Sequence, residues 1–210
     1  MNRFHLSLSA IALGCVFALP ALSQELSPVK TAELSARLYE AGLAMKDPIM
    51  IISAAKLRKS LNPVASDRSA EGSTGEEDAP LDWETMLASA EDLAEGNEMV
   101  QGLAEDVRAE STKGVSSGPV YNIGQLKNGG LDAYPAVEFV GGEYAEVYVE
   151  AKSATDINLS VYDSKGRLVC SDTDKSHIAY CGWRPAESGS YVMKVENLGP
   201  NGAKYALMTN

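Results

Sequence analysis

Few side chains in this sequence could carry out a reaction. After residue 23 there is one histidine, His177, and there are two cysteines, Cys170 and Cys181. A serine or cysteine hydrolase needs a general base beside its nucleophile, and the plainer setting for His177, between the two cysteines, is a polar position on a surface hairpin. The patterns H-E-x-x-H and G-x-x-x-x-G-K-[ST] are absent, and one histidine cannot build a three-histidine zinc site. Carboxylates are plentiful, 29 in all, and a glycosidase needs only two at a suitable separation. Abundance alone supplies accidental pairs, so a carboxylate-dependent hydrolase is kept as an alternative. The expectation is a protein that is not an enzyme and has no catalytic residues.

Three constellations remain. Asp172, Asp174 and Ser176 alternate in DTDKSH like the opening of a calcium loop, but His177 stands where that loop needs glycine and Trp183 where it needs glutamate. Asp156, Asp163, Asp172 and Asp174 are the calcium candidates if strand ends gather them at one end of a sandwich. Turn aspartates bonding their own backbone are the plainer reading, and no other cofactor is implied. Tyr144, Glu146, Tyr148 and Glu150, joined by Tyr162, form an outward stripe in which rings interleaved with hydrogen-bonding groups suit a sugar or an extended polypeptide. Tyrosine is also simply favoured on half-exposed strands. Cys170 and Cys181 form an even pair, expected as a disulfide that closes a short loop and contributes roughly 3 kcal/mol; a two-thiol metal or redox site lacks a C-x-x-C spacing.

These residues need elements to hold them. The chain opens MNRFHLSLSAIALGCVFALPALSQE, with Arg3, an apolar run from Leu6 to Leu22, and small residues before Gln24. That is a signal peptide over residues 1–23, which predicts a periplasmic or secreted protein. The run is short for a membrane span, contains Pro20 and lacks a basic stop signal, so no stable membrane anchor is expected. Cys15 loosely resembles a lipoprotein site, but Ala12 replaces the usual leucine. Residues 62–113 carry 14 acidic groups against 3 basic ones, whereas residues 24–61 carry 4 against 6 and residues 114–210 carry 11 against 8. This acidic excess argues against nucleic acid as a partner. It reads as a solvated face, with a cation or a basic partner as the sharper alternative.

Ser27-Pro28 and Asp47-Pro48 are helix starts. Leu34, Leu38, Ala41 and Met45 recur at helical spacing after the first, and Ile52 and Ala55 follow the second, with Lys56, Arg58 and Lys59 placed to complement the helix dipole. Asn62-Pro63 ends this hairpin. Residues 62–80 read as an acidic flexible loop. A third helix carries Trp83, Met86, Leu87, Ala90, Leu93, Ala94, Val100, Leu103 and Val107, interrupted at Gly96-Asn97. From residue 114 the period becomes two: Ala145, Val147, Val149 and Ala151; Ile157, Leu159 and Val161; Tyr191, Met193 and Val195; Tyr205 and Leu207. Turn residues at short intervals favour an antiparallel sandwich.

The stretches VEFVGGEYAEVYVEA, TDINLSVYDSKGRLVCSD, CGWRPAESGSYVMKVEN and NGAKYAL resemble, in order, strands of the bacterial pre-peptidase C-terminal domain. The matching positions are Asp156, Val161 to Asp163, Gly166, Pro185 to Gly189, Tyr191, Val195, Asn197 and Tyr205, within residues 137–208. The resemblance implies a jelly-roll-like β-sandwich, and members of that family with known roles bind polymers such as collagen, sometimes with calcium, or serve as processed protease extensions. No peptidase motif accompanies it in this chain. The reading is therefore α+β in two parts: residues 24–113 with a helical hairpin and third helix, and residues 114–210 as an antiparallel jelly-roll-like β-sandwich. Its expected function is a non-catalytic exported module binding a polysaccharide, an envelope polymer or a protein. An interaction subunit or chaperone-like partner acting through the helices is the alternative; the oligomeric state is not read from the sequence.

Overall fold

The computed structural model describes residues 26–71, 79–111, 118–153 and 155–210. The expected signal peptide, the body of the expected acidic loop at 72–78 and the expected boundary at 112–117 lie outside the described residues. Helix α1 (Pro28–Met45) starts where Ser27 Oγ accepts the Lys30 amide at 3.0 Å, and α2 (Pro48–Lys59) where Asp47 accepts the amides of Ile49 and Met50. The two cross closely at Gly42, where a β-carbon would stand 2.6 Å from Ile51 Cγ1. The third helical segment is two helices, α3 (Trp83–Leu93) and α4 (Glu98–Ala109). Between them Glu95 and Gly96 take positive φ of 47° and 85°, and Asn97 caps the restart.

Strands β1 (Val64–Ala65), β2 (Val120–Leu126), β3 (Leu131–Ala133), β4 (Val137–Phe139), β5 (Ala145–Ala151), β6 (Ile157–Asp163), β7 (Leu168–Asp172), β8 (Ile178–Trp183), β9 (Gly189–Asn197) and β10 (Ala203–Thr209) form two sheets. One runs β1-β2-β10-β5-β8 and the other β3-β9-β6-β7, with β4 also on β9. All pairings are antiparallel except β1 with β2. Val147, Val149, Leu159, Val161, Met193, Val195, Tyr205 and Leu207 fill the space between the sheets, as alternation requires. A disulfide between Cys170 and Cys181, with Cα atoms 5.8 Å apart, joins β7 of one sheet to β8 of the other.

The helices form a third layer on the outer face of the first sheet. Val29, Ala32 and Ala36 of α1 pack against Tyr148, Ile178, Ala206 and Met208, while α2, α3 and α4 share a second apolar cluster built on Ile51, Ile52, Met86, Leu87 and Val100. This corrects the expected stripe on α1, since Leu34 and Met45 are exposed. The buried face is the one with small residues, because a helix lying flat on a sheet needs close approach more than bulk. Two of the basic residues of α2 also have other tasks: Lys59 Nζ donates to the carbonyls of Val107 and Arg108 at the end of α4, and Arg58 is buried. The described residues at the start of the expected loop at 62–80 are held to the sheet. They add β1 to the sheet edge, Asn122 Nδ2 donates to the Ser66 carbonyl, Glu71 N donates to the Ala133 carbonyl, and Ala70 is buried in the sandwich core.

Candidate functional site

Strand β5 is buried along its whole length, and its polar side faces the helices. Glu146, Tyr148 and Glu150 are 2%, 0% and 4% exposed. The expected outward stripe is therefore not an open face; the alternation is real, but the helical layer covers it. Tyr162 is on β6 of the other sheet, under Lys194 Nζ at 5.0 Å from its ring centroid, and does not meet the rest. Of the five residues, Tyr144 and Glu146 come together at a surface depression.

At the Glu150 end the stripe is a closed polar seam. Arg58 makes a bidentate pair with Glu150, Nη1 to Oε1 at 3.0 Å and Nη2 to Oε2 at 2.8 Å. The Tyr148 hydroxyl donates to Oε2 at 2.7 Å and the Leu81 amide to Oε1 at 3.1 Å, so four donors saturate the carboxylate. Arg58 also reaches the Ala32 carbonyl and Ser35 Oγ. Burial alone would weaken the guanidinium, but the Glu150 charge overrides it and the net direction is upward. Burial, with the adjoining carboxylate, pushes the Tyr148 phenol well up, which keeps it a donor. Such a pair is expensive to break because either partner alone would be a buried charge.

At the other end of β5 the depression opens, lined by Leu26, Lys30, Tyr144, Glu146, Tyr180 and Arg184, with Ser27 and Asn210, and measuring about 630 Å³. The register places Gly182 of β8 opposite Glu146. A β-carbon on Gly182 would fall 2.4 Å from the Tyr144 hydroxyl and 2.7 Å from that of Tyr180, so the missing side chain is what lets both phenols converge. Tyr180 donates to Glu146 Oε1 at 2.7 Å, and its phenol is pushed up, first by burial and then by Glu146 and Tyr144. Lys30 Nζ stands 4.0 Å from the Tyr180 ring centroid, and Arg184 donates to the Gly142 carbonyl. Asn210 pins the rim, accepting from the Glu146 amide at 2.9 Å and donating to the Tyr144 carbonyl at 2.7 Å. A second, smaller depression beside Glu138, Phe139 and Glu143 also has Tyr144 and Asn210 in its lining, and in the pair of depressions, the Tyr144 trough, that tyrosine stands 45% exposed on the wall between them.

The four calcium candidates do not assemble. Asp156 precedes β6 and Asp163 ends it, seven residues or roughly 20 Å along the strand. Asp163 accepts the amides of Lys165 and Arg167 in its turn and pairs with the Arg167 guanidinium. Those contacts hold its carboxyl below the usual range. Asp172 accepts the amides of Tyr180 and Asp174. Among the described residues, no three His, Cys, Asp or Glu side chains are placed to hold a metal. His177 Nε2 lies 3.3 Å from Glu40 Oε1.

Two features were not drawn from the sequence. Tyr205 donates to buried Asp132 at 2.6 Å and meets the Tyr134 hydroxyl at 2.9 Å. Burial raises Asp132 despite that bond, and raises the Tyr134 phenol to about 12. Gly124 makes room, since a β-carbon there would stand 2.3 Å from the Tyr205 ring. The other is the run Gly114-Val115-Ser116-Ser117-Gly118, which has the G-x-S-x-G spacing of a nucleophile elbow. An elbow links a strand to a following helix. Here the run follows α4 and precedes β2, the reverse order, and its serines lie outside the described residues.

No protein-family model matches the sequence, and no curated protein matches it. Solved structures similar to it include the pre-peptidase C-terminal domain of a collagenase from Bacillus anthracis, at 13% identity and TM-score 0.39 over 44% of this chain and 89% of that one. The periplasmic g-type lysozyme inhibitor PliG of Aeromonas hydrophila shows 12% identity and TM-score 0.34 over 44% and 84%. The C-terminal CBM6 of LamC from Zobellia galactanivorans shows 12% and 0.27 over 40% and 76%. These likenesses extend to a general β-sandwich and carry no argument about a ligand. Membership of the pre-peptidase family is not shown.

Proposed function

We propose that the protein is a non-catalytic, exported binding module that seats an extended, hydroxyl-rich polymer, a glycan, along the Tyr144 trough. The observation that carries this is Tyr144, 45% exposed on the wall between two adjoining depressions that share it and Asn210, an arrangement that suits a chain lying across the ring more than a small molecule held in one hole. An exposed tyrosine ring offers an apolar face to sugar C–H groups while its hydroxyl bonds at the edge. Lys30, which also pairs with Glu33, and Arg184 supply cationic partners beside it. The inter-sheet disulfide fits an oxidising compartment, and no described helix is long and apolar enough to cross a membrane.

Affinity electrophoresis through gels containing neutral and acidic polysaccharides tests the reading. At least one polymer should retard the protein, and Tyr144→Ala should weaken that binding roughly five-fold with the melting temperature unchanged. Arg184→Ala is the second probe of the same trough. Failure of the whole panel to retard the protein, or retardation indifferent to both substitutions, sinks the proposal.

A second reading has its own observation. Residues 82–110 carry nine carboxylates and the single cation Arg108, and on α4 Met99 and Leu103 are exposed among them. An acidic helical face bearing apolar side chains suits a basic protein partner. Salt-sensitive capture of one envelope protein, lost in Met99→Ser with Leu103→Ser and retained in Tyr144→Ala, would place recognition there instead.

A further inference from the structure

The helical layer does not close completely on the sheet. Between α1, the chain entering α3, and the ends of β5, β8 and β10 lies a cleft of about 350 Å³, within the size range of small-molecule sites. It is separate from the Tyr144 trough, and neither reading depends on the other. Its walls are apolar, formed by Ala36, Leu81, Ile178 and Ala206. The Tyr39 hydroxyl is taken by Ser89 Oγ at 2.9 Å. Glu150 reaches the cleft, but its charge is balanced by Arg58 and its oxygens already take four donors.

The mouth differs from the walls. Glu40 and Asp82 stand there with Lys152 and His177. Asp82 accepts the Thr85 amide at 2.7 Å and its hydroxyl at 2.9 Å, and its two oxygens have room for a further donor. Glu40, with a side chain 44% exposed, lies beside His177. We propose that this cleft binds a small amphiphilic cation: an aromatic or aliphatic body between the apolar walls, with its ammonium group at the Glu40 and Asp82 carboxylates. The apolar walls select the body and the charges at the mouth select the head group. An anionic head of equal size would meet two carboxylates against the one lysine at the mouth, Lys152, on a chain of net charge −11.

Three probes of one shape test this by calorimetric titration of the signal-free protein: 2-phenylethylamine, 2-phenylethanol and 3-phenylpropionate. The amine should bind saturably at one site, at least about five-fold more tightly than either analogue, and should perturb the imidazole resonances of His177. Glu40→Gln should weaken the amine about five-fold and leave the alcohol unchanged. Ser153→Trp, at an exposed position on the rim, should weaken all three by obstruction. Absence of saturable amine binding, equal or tighter binding of the alcohol or the acid, or amine binding indifferent to both substitutions overturns the proposal.

Discussion

Strand β5 has two buried faces, and they are buried by different physics. Its inner side places Val147 and Val149 in the sandwich core, among mostly aliphatic side chains. Its outer side places Glu146, Tyr148 and Glu150 beneath α1 and α2, where the Arg58 pair, the Tyr148 hydroxyl and the Leu81 amide satisfy the Glu150 carboxylate. The inner face gains stability by leaving water and tolerates any apolar filler of the right volume. The outer face gains little net energy from its charges, since desolvation offsets attraction, but it discriminates strongly against a wrong alignment. One face therefore supplies cohesion. The other sets how the helical layer sits, and with it the shape of the cleft beside Glu150.

Breaking the outer face should show the largest effect. Glu150→Ala leaves Arg58 buried without its counter-charge and should cost about 3–5 kcal/mol in urea unfolding. Arg58→Met with Glu150→Leu should recover most of that, because no unpaired charge remains. If the double variant is as unstable as the single one, the seam is not electrostatic in origin. On the inner face Leu207→Ala, at a fully buried position, should cost about 2–5 kcal/mol. A neighbouring small-to-large apolar substitution that refills the cavity should recover part of it without any charge being matched, which sharpens the contrast between the faces.

A smaller change tests the bond between the sheets. Replacing Cys170 and Cys181 together by serine should cost roughly 3 kcal/mol, with the binding proposed for the cleft and trough unchanged. The smallest effect belongs to Asp132. Burial raises its carboxyl above the ordinary value, so the folded state holds that proton more tightly than the unfolded chain. Stability from this group therefore grows as pH falls from the folded value toward the unfolded one and is lost as pH rises through the folded value. Asp132→Asn keeps an acceptor for the Tyr205 hydroxyl and should flatten that part of the stability profile, measured by denaturation between pH 3 and 7, a range spanning ordinary carboxyl values. An unchanged slope would remove Asp132 as its source.

Local chemistry is what the sequence displays well. Ser27, Asp47 and Asn97 cap helices because their side chains satisfy free amides a few residues away, and no distant contact is needed for that. The cysteine pair and the alternation of the strands were legible for similar reasons. The candidate site was legible only in part. Tyr144 and Glu146 do line a depression, yet the partners that complete it, Tyr180, Lys30 and Arg184, come from β8, α1 and a turn. Gly182, whose missing side chain lets the Tyr144 and Tyr180 phenols meet, looks in sequence like any other glycine in a strand.

Alternation, capping residues and helical periodicity determined by themselves that this chain has helices followed by a two-sheet sandwich, because each acts over a few residues and repeats. Tertiary structure decided which polar face would see water. A strand with Glu146, Tyr148 and Glu150 on one side reads as half-exposed until another element brings an arginine to it, and Arg58 lies 92 positions away from Glu150 in the chain. Exposure is a property of what packs nearby, and a periodic pattern carries no information about a partner that distant.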